Sequence, residues 1–285
     1  MNKKLKTLAA LLIISQGSAK NYTDQDLLGV YKLTKFATVN ADGTETPWCN
    51  GATGTIAYVP GYMGVAINCE SVEPNSNAAE LKGKLFYSGP YEVDTQTNEV
   101  LHRVRNYSHS SLHKVNRRKV ELRGKNHLIL SGNLGEGKQI VIEWERQESF
   151  AYDNNPLTGF YELVGSENKI EGSDETIPFC SGFHGSIFYT PGGYGAVSIN
   201  CGEKIDPNAA EPADAFGRHY FYAGPYEQSE GLLVQKIQTA SELNQVGEEA
   251  RRAMEIKDDL LTLKGVNGST FVAKWRKLRS FVGIE

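Results

Sequence analysis

The chain has 285 residues, a hydrophobic fraction of 40% and a formal net charge of −4. This length is enough for one large domain or two of ordinary size, and the composition is typical of a folded soluble protein. The weak net charge produces no whole-chain field that would point to a nucleic acid or a membrane surface as partner.

Residues 1–19 have the pattern of an export signal. Lysines open the segment, a short apolar run follows at residues 8–14, and small residues end it at residues 17–19. The apolar run is too short to cross a bilayer, and no later stretch is long and apolar enough to do so. We therefore expect a mature protein in the periplasm or outside the cell. The alternative is a frayed amphipathic start.

The chain repeats itself. "FYSGPYE" at residues 86–92 returns as "FYAGPYE" at residues 221–227, and other segments return in the same order. The matched pairs include residues 29–33 with 159–163, 54–61 with 185–192, 67–69 with 199–201, 117–118 with 251–252, and Trp144 with Trp275. This order indicates a tandem duplication, with one unit at residues 20–150 and the other at residues 151–285.

Each unit consists of short strand patterns separated by Gly, Pro and Asn turns. In the first unit the predicted strands are residues 29–37, 54–59, 64–68, 84–93, 99–105, 118–123, 127–132 and 138–146. Eight short antiparallel strands favour a barrel or a sandwich. A short helix is predicted near residues 77–82, and Pro212 interrupts its counterpart near residues 208–215. The repeated Gly-Pro is expected to bend its strand.

Four cysteines recur with the units, at Cys49, Cys69, Cys180 and Cys201. In an exported chain the economical pairing is Cys49–Cys69 and Cys180–Cys201, one disulfide per unit. Zinc is the rival reading, but Cys-x-x-Cys spacing is absent and the histidines are scattered, so no metal site is predicted. Four buried free thiols are the alternative if the chain is not exported.

Two motifs suggest chemistry that their context does not support. Residues 132–138 have the spacing of a phosphate-binding loop, but a strand pattern follows where the mechanism needs a helix. We therefore predict no nucleotide and no other cofactor. His102 and His109 are candidates for a base or a cofactor contact, whereas an ordinary hydrogen-bonded strand histidine is the alternative. Gln235 replaces His102 in the second unit.

Basic residues cluster in one stretch of the first unit, against a single acidic residue. They are Arg103, Arg105, Lys114, Arg117, Arg118, Lys119, Arg123 and Lys125. Solvated strand edges explain this stretch, and a patch for an anionic ligand or surface is the alternative.

An ordered set of motifs resembles the lipocalin-like domain family of bacteria and fungi. The set contains Gly-x-aromatic-x-Leu at residues 29–33, "GTIAYVPGYMGV" at 54–65, "FYSGPYEV" at 86–93, the strand with His102, and Trp-x-Arg at 144–146. The resemblance implies an all-β chain of two tandem antiparallel lipocalin-like barrels of about eight strands each, with short helical insertions. Related small barrels bind apolar molecules or, in some pathways, isomerise or cyclise them.

The sequence departs from this family pattern at several places. Tyr31 and Tyr161 stand where lipocalins usually carry Trp, each unit adds a cysteine pair, and the second unit lacks the histidine. The last departure puts a family-wide catalytic histidine in doubt, so no catalytic residue beyond the candidate His102 is assigned.

Aromatic residues at matching positions are the candidate ligand contacts. Successive strand residues face opposite sides, so one residue of each Phe-Tyr pair should face the barrel interior. The candidates are Tyr58, Tyr87, Tyr91, His102, Tyr189, Tyr222 and Tyr226. A tyrosine in a cavity wall supplies apolar area and one hydroxyl, although core filling is the alternative for each.

Three functions remain open from the sequence. The first is an exported protein that binds a small, largely apolar molecule in one or both barrels. The second is an isomerase or cyclase that works in the first barrel with Tyr87, Tyr91 and His102 as its polar groups. The third is a surface interaction protein with filled barrels. We favour binding over catalysis, and leave the ligand and the oligomeric state open.

Overall fold

The structure is a computed structural model. It describes residues 21–74, 79, 81–112, 114–169, 176–178, 182–201, 219–266, 269 and 271–283. The predicted export signal lies outside these residues, as do the predicted helix near residues 208–215 and half of the one near residues 77–82.

The first half of the chain forms a closed antiparallel barrel. Its strands are β1 (Gly29–Val39), β2 (Glu45–Pro47), β3 (Thr53–Val59), β4 (Tyr62–Asn68), β5 (Lys84–Asp94), β6 (Glu99–Arg103), β7 (Asn106–Tyr107), β8 (Val115–Arg123), β9 (His127–Gly135) and β10 (Lys138–Ser149). All strands except the short β2 and β7 pair in chain order, and β10 pairs back with β1, which closes an eight-strand barrel.

The second half repeats this arrangement. Its strands are β11 (Gly159–Lys169), β12 (Thr176–Pro178), β13 (His184–Tyr189), β14 (Tyr194–Asn200), β15 (His219–Ser229), β16 (Leu232–Lys236), β17 (Thr239–Ala240), β18 (Glu249–Lys257), β19 (Leu260–Gly265) and β20 (Phe271–Ser280). Here the short β12 pairs only with β11, β17 pairs with β15 off the main path, and β20 pairs with β11 to close the barrel.

The prediction of an all-β fold with two tandem eight-strand barrels is confirmed. The sequence patterns missed the short strands β2, β7, β12 and β17, because two or three residues are too few to show an alternation. They also missed a one-turn helix, α1 (Asp24–Leu27), which precedes the first barrel.

One end of each barrel is closed by the chain segment that enters it. In the first barrel Leu27 is fully buried, and the Tyr31 hydroxyl donates a hydrogen bond of 2.8 Å to its carbonyl oxygen. The Arg146 guanidinium lies 4.5 Å from the centre of the Tyr31 ring. The second barrel is closed in the same way, since the Tyr161 hydroxyl donates a hydrogen bond of 2.6 Å to the carbonyl oxygen of the buried Leu157.

The repeated Gly-Pro marks the place where β5 changes partners. Before it, Tyr87 and Ser88 pair with β7, and after it Tyr91 begins the pairing with β6. The chain passes so close here that a Cβ atom on Gly89 would collide with the Arg103 carbonyl oxygen. Only glycine fits such a close approach.

The repeated Phe-Tyr pair faces two different cores. Phe86 and Phe221 point out of their barrels and stack on each other with ring centres 4.5 Å apart, whereas Tyr87 and Tyr222 belong to the two barrel interiors. The outward core contains Val30, Ala57, Val59, Tyr62, Ala66, Phe86, Phe188, Tyr194, Ala196, Phe221, Ala223 and Phe281. This third apolar cluster holds the two barrels together.

Polar contacts across the barrel contact are reciprocal. The Asn68 side chain donates to the Ala240 carbonyl at 3.2 Å and accepts from its N–H at 3.3 Å. The equivalent Asn200 bonds Tyr107 in the same way, at 3.0 and 3.4 Å. Matching residues of the two units thus exchange matching bonds, as in a two-fold symmetric dimer interface.

The Cys49–Cys69 disulfide is confirmed, with the two Cα atoms 6.0 Å apart and a sequence separation of 20. It ties the segment before β3 to the residue that follows β4. Cys201 is also disulfide-bonded, whereas its predicted partner Cys180 lies outside the described residues.

Candidate functional site

The first barrel contains a buried hydrogen-bonded cluster centred on His102. The Tyr58 hydroxyl lies 2.8 Å from His102 Nε2, and the Tyr87 hydroxyl lies 3.0 Å from Nδ1. The Tyr91 ring packs edge-on against the Tyr58 ring, with centres 4.9 Å apart. The four candidate residues of the first unit therefore lie together in one barrel interior.

The His102 cluster is neutral at physiological pH. Burial lowers the pKa of His102 to about 3, and the Arg118 charge acts in the same direction. Burial raises the pKa values of Tyr58 and Tyr87. A neutral imidazole has one N–H donor and one acceptor nitrogen. One tyrosine therefore donates to the ring, whereas the other accepts from it and keeps its own O–H available.

In the described residues of the second barrel, no such cluster is found. Gln235 occupies the position of His102, and its Nε2 donates to the carbonyl oxygens of Gly195 and Gly224 at 2.6 and 3.2 Å. Among the described residues, the buried Tyr189 hydroxyl has no partner. Its ring lies 5.0 Å from that of Tyr226, whose hydroxyl donates to the Thr190 carbonyl at 2.9 Å.

The second barrel instead contains a cavity of about 210 Å³. The residues that line it are mostly aliphatic and aromatic: Asn168, Ile187, Val197, Ile199, Tyr220, Tyr222, Arg252, Leu263, Phe271, Ala273 and Trp275. Of the predicted contacts in this unit, Tyr222 is in the wall, whereas Tyr189 and Tyr226 pack toward the closed end with Tyr161.

A difference between the two units accounts for the space in the second barrel. In the first barrel, Phe36 and Ile142 face each other across β1 and β10 and fill the interior. The equivalent cross-strand pair in the second barrel is Ser166 and Ala273. Of this smaller pair, Ala273 lines the cavity, and a small side chain there leaves volume that its neighbours do not fill. Trp48 packs further on Phe36, with stacked rings 4.5 Å apart.

Arg252 is the charged group of the cavity wall. Its Nη1 donates to the Arg251 carbonyl oxygen at 2.8 Å, and its Cζ lies 5.7 Å from the centre of the Phe271 ring. Burial raises the pKa of Tyr222, and the positive charge of Arg252 opposes that rise. The guanidinium field therefore reaches the cavity that Tyr222 lines.

Two grooves lie between the barrels, with volumes of about 620 and 510 Å³. Equivalent residues line them: Tyr194 lies in the larger groove and Tyr62 in the smaller. The Tyr62 hydroxyl is 3.0 Å from Ser186 Oγ, and Tyr194 forms the matching side-chain bond with Thr55. The tyrosine hydroxyls of both grooves are thus engaged in holding the barrels together.

The basic stretch of the first unit is partly neutralised. Arg103 pairs with Glu92, Arg117 with Glu99 at 3.8 Å, and Arg123 with Glu121 at 2.7 Å. Those three arginines are exposed, as expected for solvated strand edges. Arg118 differs, since it is half-buried and its Nε atom is buried.

Some functional candidates could not be recognised from residue type alone. Arg252, Trp275 and Ala273 line the cavity but were not predicted. The repeated Arg-Arg pair was the available signal for Arg252, because an arginine that recurs at one strand position in both units has a fixed orientation. His109 lies at a surface turn, with Nδ1 2.8 Å from Ser111 Oγ.

Neither a metal cluster nor a membrane-spanning helix is found in the part of the chain that the structure describes. No group of three or more His, Cys, Asp or Glu side chains there could hold a metal ion. No helix in the same residues is long and apolar enough to cross a bilayer.

No family model and no curated protein matches the chain. Among solved structures, a redesigned β-barrel is similar, with 14% sequence identity over 44% of this chain and 95% of that chain and a TM-score of 0.26. A similarity at this level carries no argument of its own. The fold therefore rests on the strand pairing described above, and membership of the lipocalin-like family stays a prediction.

Proposed function

We propose that the chain is an exported two-barrel protein that binds a small, largely apolar molecule inside its second barrel. The cavity of about 210 Å³ at that place carries the proposal. Its wall combines aliphatic and aromatic side chains with a few polar groups, which is typical of small-molecule sites.

The size of the cavity sets the size of the ligand. An apolar cavity of about 150 Å³ in another protein takes up benzene. The somewhat larger space here suits a molecule with one ring and a short substituent. Phe271, Trp275 and Tyr222 line it, and such side chains favour contacts with another ring.

In this proposal the first barrel binds no ligand and packs against the second barrel through the shared apolar cluster. Phe36 and Ile142 occupy the space that stays open in the second barrel. The proposal therefore narrows the expectation of binding in one or both barrels to the second. We also propose that the two barrels are separate domains, at residues 20–150 and 151–285.

A second candidate function is an isomerase or cyclase in the first barrel. The cluster of Tyr58, His102 and Tyr87 favours it, because one tyrosine O–H stays available to donate to a substrate. Two observations weigh against it. The imidazole is a poor proton acceptor at a pKa of about 3, and the cavity lies in the other barrel.

The location of the protein and the third candidate function also bear on this proposal. A disulfide between Cys49 and Cys69 is compatible with an oxidising compartment such as the periplasm or the cell exterior. A surface interaction protein with filled barrels is less favoured, because it leaves the interior space unexplained.

The test is to transplant the filled pair of the first barrel into the second. In the variant Ser166→Phe/Ala273→Ile, the new side chains occupy the cavity. Toluene and phenylacetamide are the probes, and their binding is measured by calorimetry and by the change in tryptophan fluorescence. We expect both probes to bind the wild type and to lose at least about ten-fold in affinity in the variant, since the buried apolar contacts are lost.

A matched control uses the opposite faces of the same two strands. Glu167 and Lys274 form an exposed ion pair with 3.8 Å between the charged atoms. Glu167→Gln/Lys274→Gln should leave binding unchanged, and circular dichroism should show that both variants fold. Unchanged affinity in the filled variant, or no binding to the folded wild type, contradicts the proposed function.

A further inference from the structure

Arg252 lies on the inward face of its strand. In β18 (Glu249–Lys257), Ala250 and Met254 pack in the core of the second barrel. Because side chains alternate along a strand, Arg252 between them points the same way. Its neighbour Arg251 is exposed on the outer face and pairs with Glu249 at 3.0 Å.

Among the residues that the structure describes, no acidic side chain forms an ion pair with Arg252. Within the described ranges, its hydrogen bond goes to the Arg251 carbonyl and its ring contact is with Phe271, and no carboxylate forms an ion pair with it. Arg252 is half-buried, and its guanidinium carries five N–H donors. An incoming anion can accept from the donors that the Arg251 carbonyl does not use.

The first barrel repeats this arrangement independently. Arg118 lies between the buried Asn116 and Val120 on β8 (Val115–Arg123), so it also points inward. Its Nη1 donates to the Arg117 carbonyl at 2.8 Å, as in the second barrel. Its Nε is buried and has no partner in the described part of the chain. The inward arginine is therefore a feature of the repeated unit.

We infer that the molecule bound in the second barrel carries a carboxylate, which accepts hydrogen bonds from the Arg252 guanidinium. This inference rests on the proposed function. The planar guanidinium matches a carboxylate through paired N–H donors. Asn168 and Tyr222 also line the cavity and offer further donors. The ligand class is thus a small acid with an apolar body, such as an arylacetic acid.

The experiment compares phenylacetate with phenylacetamide, its neutral counterpart of nearly the same shape. Both are titrated by ligand-observed NMR against the wild type, Arg252→Gln, Arg252→Lys and Arg251→Gln. We expect the wild type to prefer phenylacetate by about ten-fold or more, because a hydrogen bond to a charged group is stronger than a neutral one. Arg252→Gln should remove this preference while phenylacetamide still binds within about three-fold.

The remaining variants control for charge and for folding. Arg252→Lys keeps the charge and should retain part of the preference, whereas Arg251→Gln changes the same charge on the outer face and should behave like the wild type. Equal binding of both probes to the wild type, or a preference that survives Arg252→Gln, overturns the carboxylate and leaves the apolar site intact. If neither probe binds the wild type, the result contradicts both the proposed function and this inference.

Discussion

Replacing His102 by glutamine tests the buried cluster of the first barrel. Glutamine is the residue that the second barrel has at this position, at Gln235, so the fold accommodates it. Its amide can both donate and accept, and in the second barrel the Gln235 amide donates to two backbone carbonyl oxygens rather than to a tyrosine. The substitution therefore removes one titrating group, and the pH dependence of stability, rather than stability at one pH, reports on that group.

The size of the effect follows from the pKa of His102. Burial lowers the pKa from 6.5 to about 3. Between these two pH values His102 is protonated in the unfolded chain and neutral in the folded chain. The stability of the folded state is therefore complete above about pH 6.5 and declines as the pH falls toward 3. Between about pH 7.5 and about pH 4.5 the loss from this group is about 2.5 kcal/mol.

Urea unfolding at a series of pH values measures this loss. The free energy of unfolding of the wild type should fall by about 2.5 kcal/mol more than that of His102→Gln over this range. The difference between the two proteins cancels the contribution of the carboxylates, which both share. Parallel pH profiles for the two proteins would refute the assignment of His102 as a buried neutral group.

Three other predictions concern stability. Cys49→Ser/Cys69→Ser should lower the free energy of unfolding by about 3 kcal/mol, since the disulfide closes a loop of 20 residues, and equal urea midpoints would contradict it. Phe221→Ala should cost about 3–5 kcal/mol by the same assay, because Phe221 is buried between the barrels; a cost under about 1 kcal/mol would refute this core. Gly89→Ala should lower the melting temperature clearly, and an unchanged melt would contradict the close chain approach.

Much of the fold follows from local patterns in the sequence. The repeated "FYSGPYE" phrase establishes two units, and the alternation of Phe86 and Tyr87 correctly indicates that one of them faces the barrel interior. The Cys49–Cys69 pair follows from the spacing within one unit. These features depend on residues close in sequence, which is why they could be read without coordinates.

The position of the cavity depends on contacts that the sequence pattern does not reveal. It results from Ser166 and Ala273 facing each other across the closure of the barrel. Register shifts interrupt the pairing of β11 with β20 between Phe160 and Tyr161 and between Leu163 and Gly165. Since a one-residue shift exchanges the two faces of a strand, the inward residues past these points could not be predicted.

The pairing of the two barrels was equally inaccessible. Phe86 and Phe221 are far apart in the chain and each belongs to a strand with two apolar faces. Such strands are expected for a filled barrel as well as for a barrel that packs on a neighbour. Only the three-dimensional arrangement separates the inner cores from the shared outer cluster.

Mapping the bound probe on the protein tests the central claim most directly. Phenylacetate is added to isotope-labelled wild-type protein, and the shifts of the backbone amide and tryptophan indole NMR signals are recorded. The account predicts the largest changes at Trp275, Tyr222 and Arg252 and their strand neighbours in the second barrel. Changes centred on His102 in the first barrel, or on Tyr62 and Tyr194 in the grooves between the barrels, would contradict it.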